Sequence, residues 1–389
     1  MRRHDSLTAL SLLVLAVTAA CAIGTATAAQ SPVSGTAAMT AQLDQICAGA
    51  TTGSALASRC AAIAASSDPD AKGIAADHND LEEIPGAGRG AAKDQWPSRE
   101  EVRTLLTPKL AIFASLDRSH SFRSDDSIEA AFDADTTTYS LGMDWNPVTR
   151  WQLGLTVNHS QEDQQFRGSG GRTQSDSTGV IVVSSLNLND HFVLNGYAGH
   201  AQGGQDIRRV VSFVDDSAPV AETASPDLSR TLEGIALDAS FPHGALEWRG
   251  SLGFDGARTG INGYAESGGS GFDLLVPHRS IQTERGRIEF GLADTVSASW
   301  GVWQPELRIG LVHEFSNDER LVNLRFEDDA NGTVVSFDTG APDRDWAQAT
   351  FSSTFVLPHG NSGFFTIGRE FNHSTSTATT YAIGWRIEL

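Results

Sequence analysis

Large apolar residues alternate with small or polar residues over most of the chain, from residue 109 to the last residue. This period of two predicts β-strands with one apolar face. In the final stretch, Tyr381, Ile383, Trp385, Ile387 and Leu389 share one face, and the strand runs to the end of the chain. We predict twelve strands, near residues 109–117, 137–145, 151–161, 176–189, 191–205, 229–241, 245–258, 280–296, 302–316, 346–357, 362–371 and 377–389.

Short and long connections alternate between these strands. The short ones are residues 146–150, the residues around Asp190, and residues 242–244, 297–301 and 358–361. The long ones are residues 118–136, 162–175, 206–228, 259–279 and 317–345, and the last, 372–376, is shorter. This asymmetry is typical of an outer-membrane barrel with short periplasmic turns and long external loops.

Tryptophans lie beside the short connections and predict an aromatic girdle at one membrane interface. The predicted girdle residues are Trp145, Trp151, Trp248, Trp300 and Trp303. A closed ring of strands satisfies every backbone hydrogen bond in lipid. We therefore predict an all-β fold over residues 105–389, a 12-stranded antiparallel up-and-down transmembrane β-barrel, preceded by a short helical or disordered N-terminal segment.

The first 104 residues have a different composition. Arg2 and Arg3, an apolar run and a small-residue site at 26–28 predict a signal peptide over residues 1–29. Residues 30–104 form a short pre-barrel segment rich in alanine and glycine. Within it we predict a helical hairpin in 37–65, a linker over 66–94 and a short helix at 98–106 that is a candidate plug.

Two cysteines, Cys47 and Cys60, remain after removal of the signal peptide. In an exported chain, two cysteines at this spacing predict a disulfide. Their separation suits two short antiparallel helices joined by a turn, and we do not expect two thiols alone to hold a metal ion.

Charge and hydropathy limit the function classes. The net charge is −20 and the chain has three lysines, so no basic patch is available for a nucleic acid. Mean hydropathy is −0.20, which suits a barrel with a wet interior. After the signal peptide, no run of 18 apolar residues exists to form a transmembrane helix.

Charged residues occupy the inward face of several predicted strands. They are Glu247, Arg249, Arg287, Glu289, Glu306, Arg308, Arg386 and Glu388. On neighbouring strands these side chains could form a ladder of ion pairs that neutralises charge along the pore. They could also hold a plug helix or a passing chain, and the sequence leaves both interpretations open.

Several segments together resemble the autotransporter β-domain, the translocator of type V secretion, over roughly residues 106–389. They are residues 139–145 (YSLGMDW), 263–267 (GYAES), 300–305 (WGVWQP) with 312–315 (VHEF), and 356–360 (VLPHG). The resemblance implies a twelve-stranded barrel, a helix threaded through its pore and a passenger delivered to the cell surface.

The chain departs from that family in three respects. Its pre-barrel region, residues 30–104, is shorter than the family's long β-helical passengers. It has no Asn-Asn dipeptide, at which some members cleave themselves. It ends in Leu389, where the family usually has phenylalanine, and this third difference concerns recognition by the assembly machinery rather than the passenger. We therefore expect a translocator with a minimal passenger or none.

Two other functions are considered. One is a stand-alone porin-like or structural barrel with its N-terminal segment left in the periplasm. The other is an outer-membrane phospholipase, for which His278 and Ser280 have the required His-x-Ser spacing but no nearby downstream asparagine. The glycine-rich stretches 168–171 and 268–271 lack the features of a phosphate loop, and we predict flexible surface loops there.

We expect no enzyme activity, no cofactor and no metal site.

The predicted location is the outer membrane of a Gram-negative bacterium, with long loops at the cell surface and both barrel ends in the periplasm. The expected partners are outer-membrane lipid and lipopolysaccharide, periplasmic chaperones, and the barrel assembly machinery that reads the C-terminal strand. We expect a monomer that binds no nucleic acid.

Overall fold

A computed structural model describes residues 46–65, 110–124, 131–148, 150–167, 171–211, 218–316, 321–338, 343–373 and 376–389. The predicted signal peptide, the linker at 66–94 and the helix at 98–106 lie outside these residues. So does the first part of the predicted hairpin.

The strands of the described residues are, in chain order, β1 (Leu110–Arg123), β2 (Phe132–Val148), β3 (Trp151–Phe166), β4 (Arg172–Asn187), β5 (Phe192–Val211), β6 (Val220–Ala224), β7 (Asp227–His243), β8 (Leu246–Ile261), β9 (Tyr264–Ala265), β10 (Leu274–Val276), β11 (Arg279–Asp294), β12 (Val296–Ala298), β13 (Gly301–Glu314), β14 (Leu321–Phe326), β15 (Val335–Asp338), β16 (Asp345–Leu357), β17 (Asn361–Phe371) and β18 (Ser376–Glu388). A helix, α1, spans Ala55–Ala65.

Twelve long antiparallel strands form a closed barrel, which confirms the predicted fold class. Their order is β11-β8-β7-β5-β4-β3-β2-β1-β18-β17-β16-β13, and β13 pairs with β11 to close the ring. The first and last strands are neighbours, with Ala111 opposite Glu388. Strand pairing therefore leaves no free edge in the ring.

The barrel places its large apolar side chains outside. Leu141 is 65 % exposed, and Leu252, Ile288 and Ile309 are similarly exposed on other strands. Inward positions hold small or polar residues, such as Gly142 beside β1. This arrangement reverses that of a soluble protein and suits a surface in contact with lipid.

The strands extend further into the predicted long connections than expected. Residues 118–136 were predicted as a loop, yet β1 continues to Arg123 and β2 begins at Phe132. Beyond the apolar belt, the outward positions become polar, and Arg118 forms an ion pair with Asp135 at 3.7 Å. The apolar alternation therefore disappears while the backbone ladder continues.

Two predicted long loops, 259–279 and 317–345, contain a second sheet. Its order is β15-β14-β10-β9, and we call it the loop sheet. We call the barrel end that carries it the loop end. The opposite end, with the short connections and Leu110, is the turn end. The prediction of a flexible surface loop at 268–271 is wrong for Ser270, which is buried.

The described part of the pre-barrel segment is a helical hairpin. Residues 46–49 are helical, a turn follows, and α1 begins at Ala55. The Ser54 hydroxyl accepts a hydrogen bond from the Ala57 amide at 3.1 Å, which caps the start of α1. A disulfide joins Cys47 and Cys60, whose Cα atoms are 5.5 Å apart. We call residues 46–65 the stapled hairpin.

No helix in the part of the chain that the structure describes is both long enough and apolar enough to cross a membrane.

Candidate functional site: the lumen and its loop end

The structure pairs most of the predicted inward charges across strands. Glu306 is nearly buried on β13 and lies 2.6 Å from Arg249 and 2.7 Å from Arg308. Arg249 also contacts Glu247 at 2.9 Å, and Arg308 lies 3.6 Å from Glu289. These contacts form a connected ladder on one wall of the lumen.

Two further acids complete the inward pairs and were not among the predicted site residues. Arg287 pairs with Asp255 at 3.0 Å. Arg386 lies 3.3 Å from Asp144 and 3.2 Å from Glu388. Both acids lie on the polar face of their strands, so the alternation of apolar and polar residues could have identified them as inward residues.

The predicted girdle residues lie on the outer surface near the turn end. Trp145, Trp151, Trp248 and Trp300 are exposed. Trp303 is half-buried, and its indole Nε1 donates to the Ser353 hydroxyl at 2.8 Å. The ring nitrogen of a girdle tryptophan usually finds a polar partner, because this residue lies where lipid meets water.

A second set of exposed aromatic residues lies closer to the loop end and was not predicted. Its members are Tyr139, Phe254, Phe315, Phe371 and Tyr381. The rings of Phe254 and Phe315 are 6.0 Å apart. Tyr139 stands six residues from Trp145 on the same face of β2, so the two sets bound an apolar belt.

The residues of the predicted C-terminal assembly signal all face outward. Tyr381, Ile383, Trp385, Ile387 and Leu389 are exposed, while the intervening Ala382 is buried. The Leu389 amide donates to the Leu110 carbonyl at 3.0 Å, so the end of the chain pairs with the start of the barrel.

The stapled hairpin packs on the loop sheet. Leu56 on α1 and Leu274 on β10 are both fully buried in one hydrophobic cluster. The other buried members of this cluster are Ile46, Val276, Val322, Leu324, Phe326 and Val335. The hairpin and two distant loops therefore share one core, which none of them could form alone.

Backbone hydrogen bonds also join the hairpin to the loop that follows β14. The Thr51 amide donates to the Asp328 carbonyl at 3.1 Å, and the Ala330 amide donates to the Gly49 carbonyl at 3.0 Å. The Asp329 carboxylate is held in place by the amides of Asn331 and Thr333. The contact therefore combines apolar packing with directed bonds.

Gly271 shows how closely the hairpin approaches the loops. Its φ is +85°, and an added Cβ would lie 2.5 Å from backbone atoms of Ala55 and Leu56. Any other residue would strain the loop and push the start of α1 away.

A buried ion pair ties the loops to the barrel at the same end. Arg209 on β5 donates from Nε to Glu266 Oε1 at 3.0 Å, and its Nη2 donates to the Phe272 carbonyl at 2.8 Å. Both side chains of the ion pair are 1 % exposed.

A carboxyl pair, Glu222 and Asp273, lies nearby. Burial raises the pKa of Glu222, and its hydrogen bond to Asp273 raises it further. Burial acts in the same direction on Asp273, but its hydrogen bonds to Glu222 and to backbone amides outweigh burial and lower its pKa. Of the two carboxyls, Glu222 therefore binds a proton more readily than Asp273.

His373, in the connection between β17 and β18, gives the loop end a titratable contact. It stacks on Trp346 with ring centroids 4.9 Å apart, 3.1 Å from Asp343 and 3.6 Å from Glu370. Burial works against its protonation, but the hydrogen bond to Asp343 and the nearby carboxylate of Glu370 outweigh burial and raise the pKa of His373.

A raised folded-state pKa stabilises this contact when the histidine is protonated. The stabilisation is fully present below the unfolded pKa of about 6.5 and is lost as pH rises through the folded value. We expect amide hydrogen exchange at residues 343–346 and 371–373 to accelerate as pH rises through that window, after correction for the intrinsic rate. His373→Gln should abolish this added slope. An unchanged slope in the variant would assign the pH dependence to another group.

The His-x-Ser pair lies where the loops join β11. The Ser280 hydroxyl accepts a hydrogen bond from Arg258 Nε at 3.1 Å. Among the described residues, no group of three or more histidine, cysteine, aspartate or glutamate side chains could hold a metal ion.

The chain is similar to domains of known autotransporters. Residues 112–368, more than half of the chain, match the family model described as the autotransporter beta-domain. The fold is similar to the translocator domain of the autotransporter NalP from Neisseria meningitidis, with 12 % identity and a TM-score of 0.59. That match covers 72 % of this chain and 89 % of the other.

The β domain of the Bordetella autotransporter BrkA is also similar, with 13 % identity and a TM-score of 0.54. The match covers 72 % of this chain and 100 % of that domain. No curated protein sequence matches the chain. Structures with so little sequence identity support only the fold. The family is shown by the family model, which matches most of the barrel. The chain therefore belongs to the autotransporter β-domain family, whose barrels lie in the bacterial outer membrane.

Proposed function

We propose that this chain is an autotransporter-type translocator whose passenger is reduced to the stapled hairpin. In this proposal the barrel carries residues 46–65 to the cell surface and keeps them there. The observation that supports it best is the core shared by the hairpin and the loop sheet, at the barrel end opposite Leu110.

Connectivity supports a path through the lumen. The helix α1, whose Leu56 packs on the loop sheet, ends at Ala65, whereas Leu110 begins β1 at the turn end. Forty-four residues, 66–109, join these two points. A path along the outer wall would expose polar backbone to lipid, which is strongly unfavourable. A path inside the barrel keeps that backbone in a polar surrounding.

The length of this connection is sufficient for that path. Forty-four residues span roughly 66 Å even as a continuous helix. A 14-residue strand such as β1 rises about 46 Å along its own direction. Tilt makes the barrel shorter than that, so residues 66–109 can pass from end to end.

The contacts of the docked hairpin would also keep the passenger attached to the barrel. Its core packing, its backbone bonds to the β14–β15 loop and the Cys47–Cys60 disulfide hold it on the barrel. A disulfide over this spacing stabilises a small element by about 3 kcal/mol. The hairpin is then a fixed part of the surface of the barrel rather than a released domain.

The proposed orientation follows from the same assignment. The loop end lies at the cell surface, and the turn end with both barrel termini lies in the periplasm. The outward apolar belt contacts lipid, and the polar positions above it contact lipopolysaccharide. The chain then functions as a monomer, after periplasmic chaperones and the barrel assembly machinery have inserted it through its C-terminal strand.

Epitope labelling on intact cells tests the proposal. Gly53, in the turn of the hairpin, has a φ of +86° and no side-chain neighbour within 4 Å, so a short tag is tolerated there. Gly244, in the turn between β7 and β8, has the same properties and serves as the matched control. We expect antibody to label the Gly53 tag on intact cells and the Gly244 tag only after permeabilisation.

Labelling at Gly53 only after permeabilisation would contradict the proposal. It would favour a stand-alone barrel with the hairpin in the periplasm. Labelling of both tags on intact cells would show that the cells leak, and the strain would be replaced before any conclusion is drawn.

A further inference from the structure

The loop end of the lumen contains a small buried cluster of charged and polar side chains. It consists of Arg209, Glu266, Tyr264 and Arg279. Arg209 and Glu266 form the buried ion pair described above. Tyr264 on β9 and Arg279, the first residue of β11, interact electrostatically with each other. The cluster holds two arginines and one carboxylate.

Both oxygens of Glu266 are already engaged by Arg209 and the loop. Its Oε1 accepts a bond from Arg209 Nε, and its Oε2 accepts one bond from Arg209 Nη2 and another from the Leu274 amide at 3.1 Å. The bidentate geometry and the added backbone bond direct this carboxylate toward Arg209 and the loop.

Arg279 lacks a hydrogen-bond partner among the described residues. Its Nε, Nη1 and Nη2 atoms are all buried, and none of them has an acceptor. The Tyr264 hydroxyl is buried in the same way, also without a partner. Burial raises the pKa of Tyr264 to about 12, so this hydroxyl keeps its proton and remains a donor.

A buried guanidinium without a counter-charge is strongly unfavourable. Arg279 offers only donors, and the adjacent Tyr264 hydroxyl also has no partner among the described residues. Arg279 shares the inner face of β11 with Ile281 and Thr283, which are both buried. The side chain therefore points into the barrel rather than toward lipid.

We propose that Arg279 and Tyr264 form a carboxylate-binding site at the loop end of the lumen. The planar fork of the guanidinium matches the two oxygens of a carboxylate, and the phenol adds a third donor. The site consists of described residues and does not depend on the proposed function.

Two sources could supply the carboxylate. One is the chain itself, because residues 66–83, which directly follow α1, contain one lysine and six acids: Asp68, Asp70, Asp77, Asp80, Glu82 and Glu83. The other is a dissolved carboxylate that enters the lumen. Both present the same group to Arg279, and the experiment below separates them.

The direction in which Arg279→Gln changes amide hydrogen exchange tests the site. In the full-length protein in detergent, amide hydrogen exchange over residues 262–278 reports the local opening of this region. If a carboxylate is bound, Arg279→Gln leaves it unpaired, and exchange should accelerate by on the order of 100-fold. If the site is empty, the same change removes an unpaired buried charge, and exchange should slow.

Two further variants keep the test informative. Arg258→Gln is the matched control, because Arg258 is exposed on the outer face of the neighbouring strand β8. It should leave exchange over residues 262–278 unchanged. Tyr264→Phe keeps the packing and removes one donor, so it should accelerate exchange by about tenfold if the site is occupied.

Two arms identify the source. In the first, all six acids of residues 68–83 are changed to their amides. If the chain supplies the carboxylate, this variant accelerates exchange, and combining it with Arg279→Gln adds nothing further. In the second, acetate replaces chloride at constant ionic strength. If the carboxylate is dissolved, acetate slows exchange in the unmodified protein but not in Arg279→Gln.

Either pattern supports the site. Unchanged or slower exchange in Arg279→Gln, measured with acetate present, overturns it. An acceleration that neither arm links to a carboxylate overturns it as well.

Discussion

Replacing Leu274 with alanine is expected to release the stapled hairpin from the loop sheet. Leu274 is fully buried in the core that joins Leu56 on α1 to Phe326 on β14. Truncating a buried leucine costs about 2–5 kcal/mol, because transfer energy is lost and a cavity remains. The hairpin is a small element held mainly by this core, so a loss of that size should shift it largely to the undocked state.

Amide exchange over residues 46–65 of the purified protein measures this release. Exchange there should accelerate by at least about 30-fold, which corresponds to the lower end of that range. The barrel strands should keep their protection, because they are held by their own ladders and not by the hairpin. Proteolysis within the hairpin should also be faster in Leu274→Ala than in the unmodified protein.

The chain offers a close control at the next residue. Leu275 lies beside Leu274 on β10 but faces away from the core and is 37 % exposed, against 0 % for Leu274. Neighbouring residues on a strand point to opposite faces. Leu275→Ala should therefore have little effect on the hairpin. Equal effects of the two substitutions would indicate general damage to β10 and would contradict docking through this core.

Replacing Ile309 with arginine is expected to destabilise the barrel in lipid by about 2–4 kcal/mol. Ile309 lies on β13, six residues from Trp303 and six from Phe315, and is 58 % exposed on the outer face. It is therefore near the middle of the apolar belt, where arginine faces hydrocarbon. The same substitution on the exposed surface of a soluble protein would change stability by less than about 0.5 kcal/mol.

Denaturant titration of the barrel in lipid vesicles measures this loss. Gln161→Arg is the control, because Gln161 is an exposed, outward residue of β3 beyond the belt, two positions past His159. It should leave the free energy of unfolding nearly unchanged. If Ile309→Arg were as mild as Gln161→Arg, the outer face of the barrel would not be in contact with lipid.

The position of the twelve strands could be predicted because each crosses lipid on one side and a wet lumen on the other. That condition imposes a strict alternation, as in Tyr139 to Trp145 on β2. The prediction stopped near Leu116 on β1, where outward residues become polar. From Arg118 onward, the strand is held by its backbone ladder and by surface ion pairs, neither of which requires apolar residues.

Part of the charge network could also be predicted. The alternation placed Arg249 and Glu306 on the inner face, and they pair at 2.6 Å although β11 lies between their strands. The partner of Arg287 could not be chosen from the sequence. Glu289 stands two residues away on the same strand, whereas Asp255 lies across the ladder and contacts Arg287 at 3.0 Å. Register and side-chain reach decide between them.

The loop sheet and the docking of the hairpin could not be predicted from the sequence. β9, β10 and β15 are two to four residues long, too short to show a period. Their apolar residues are buried by partners far away in the chain, as Leu274 is by Leu56. The disulfide between Cys47 and Cys60 was expected from spacing, but the surface on which the hairpin lies was not.

The amino-acid sequence by itself determined that the chain forms a twelve-stranded barrel with an apolar exterior, because a local period of two records the difference between lipid and water at every strand. Only the tertiary structure decided that two loops and the N-terminal hairpin form one core at the loop end, and that Arg279 is buried there without a partner among the described residues. The shared core depends on contacts between residues separated by more than 200 positions, and no local pattern records such contacts.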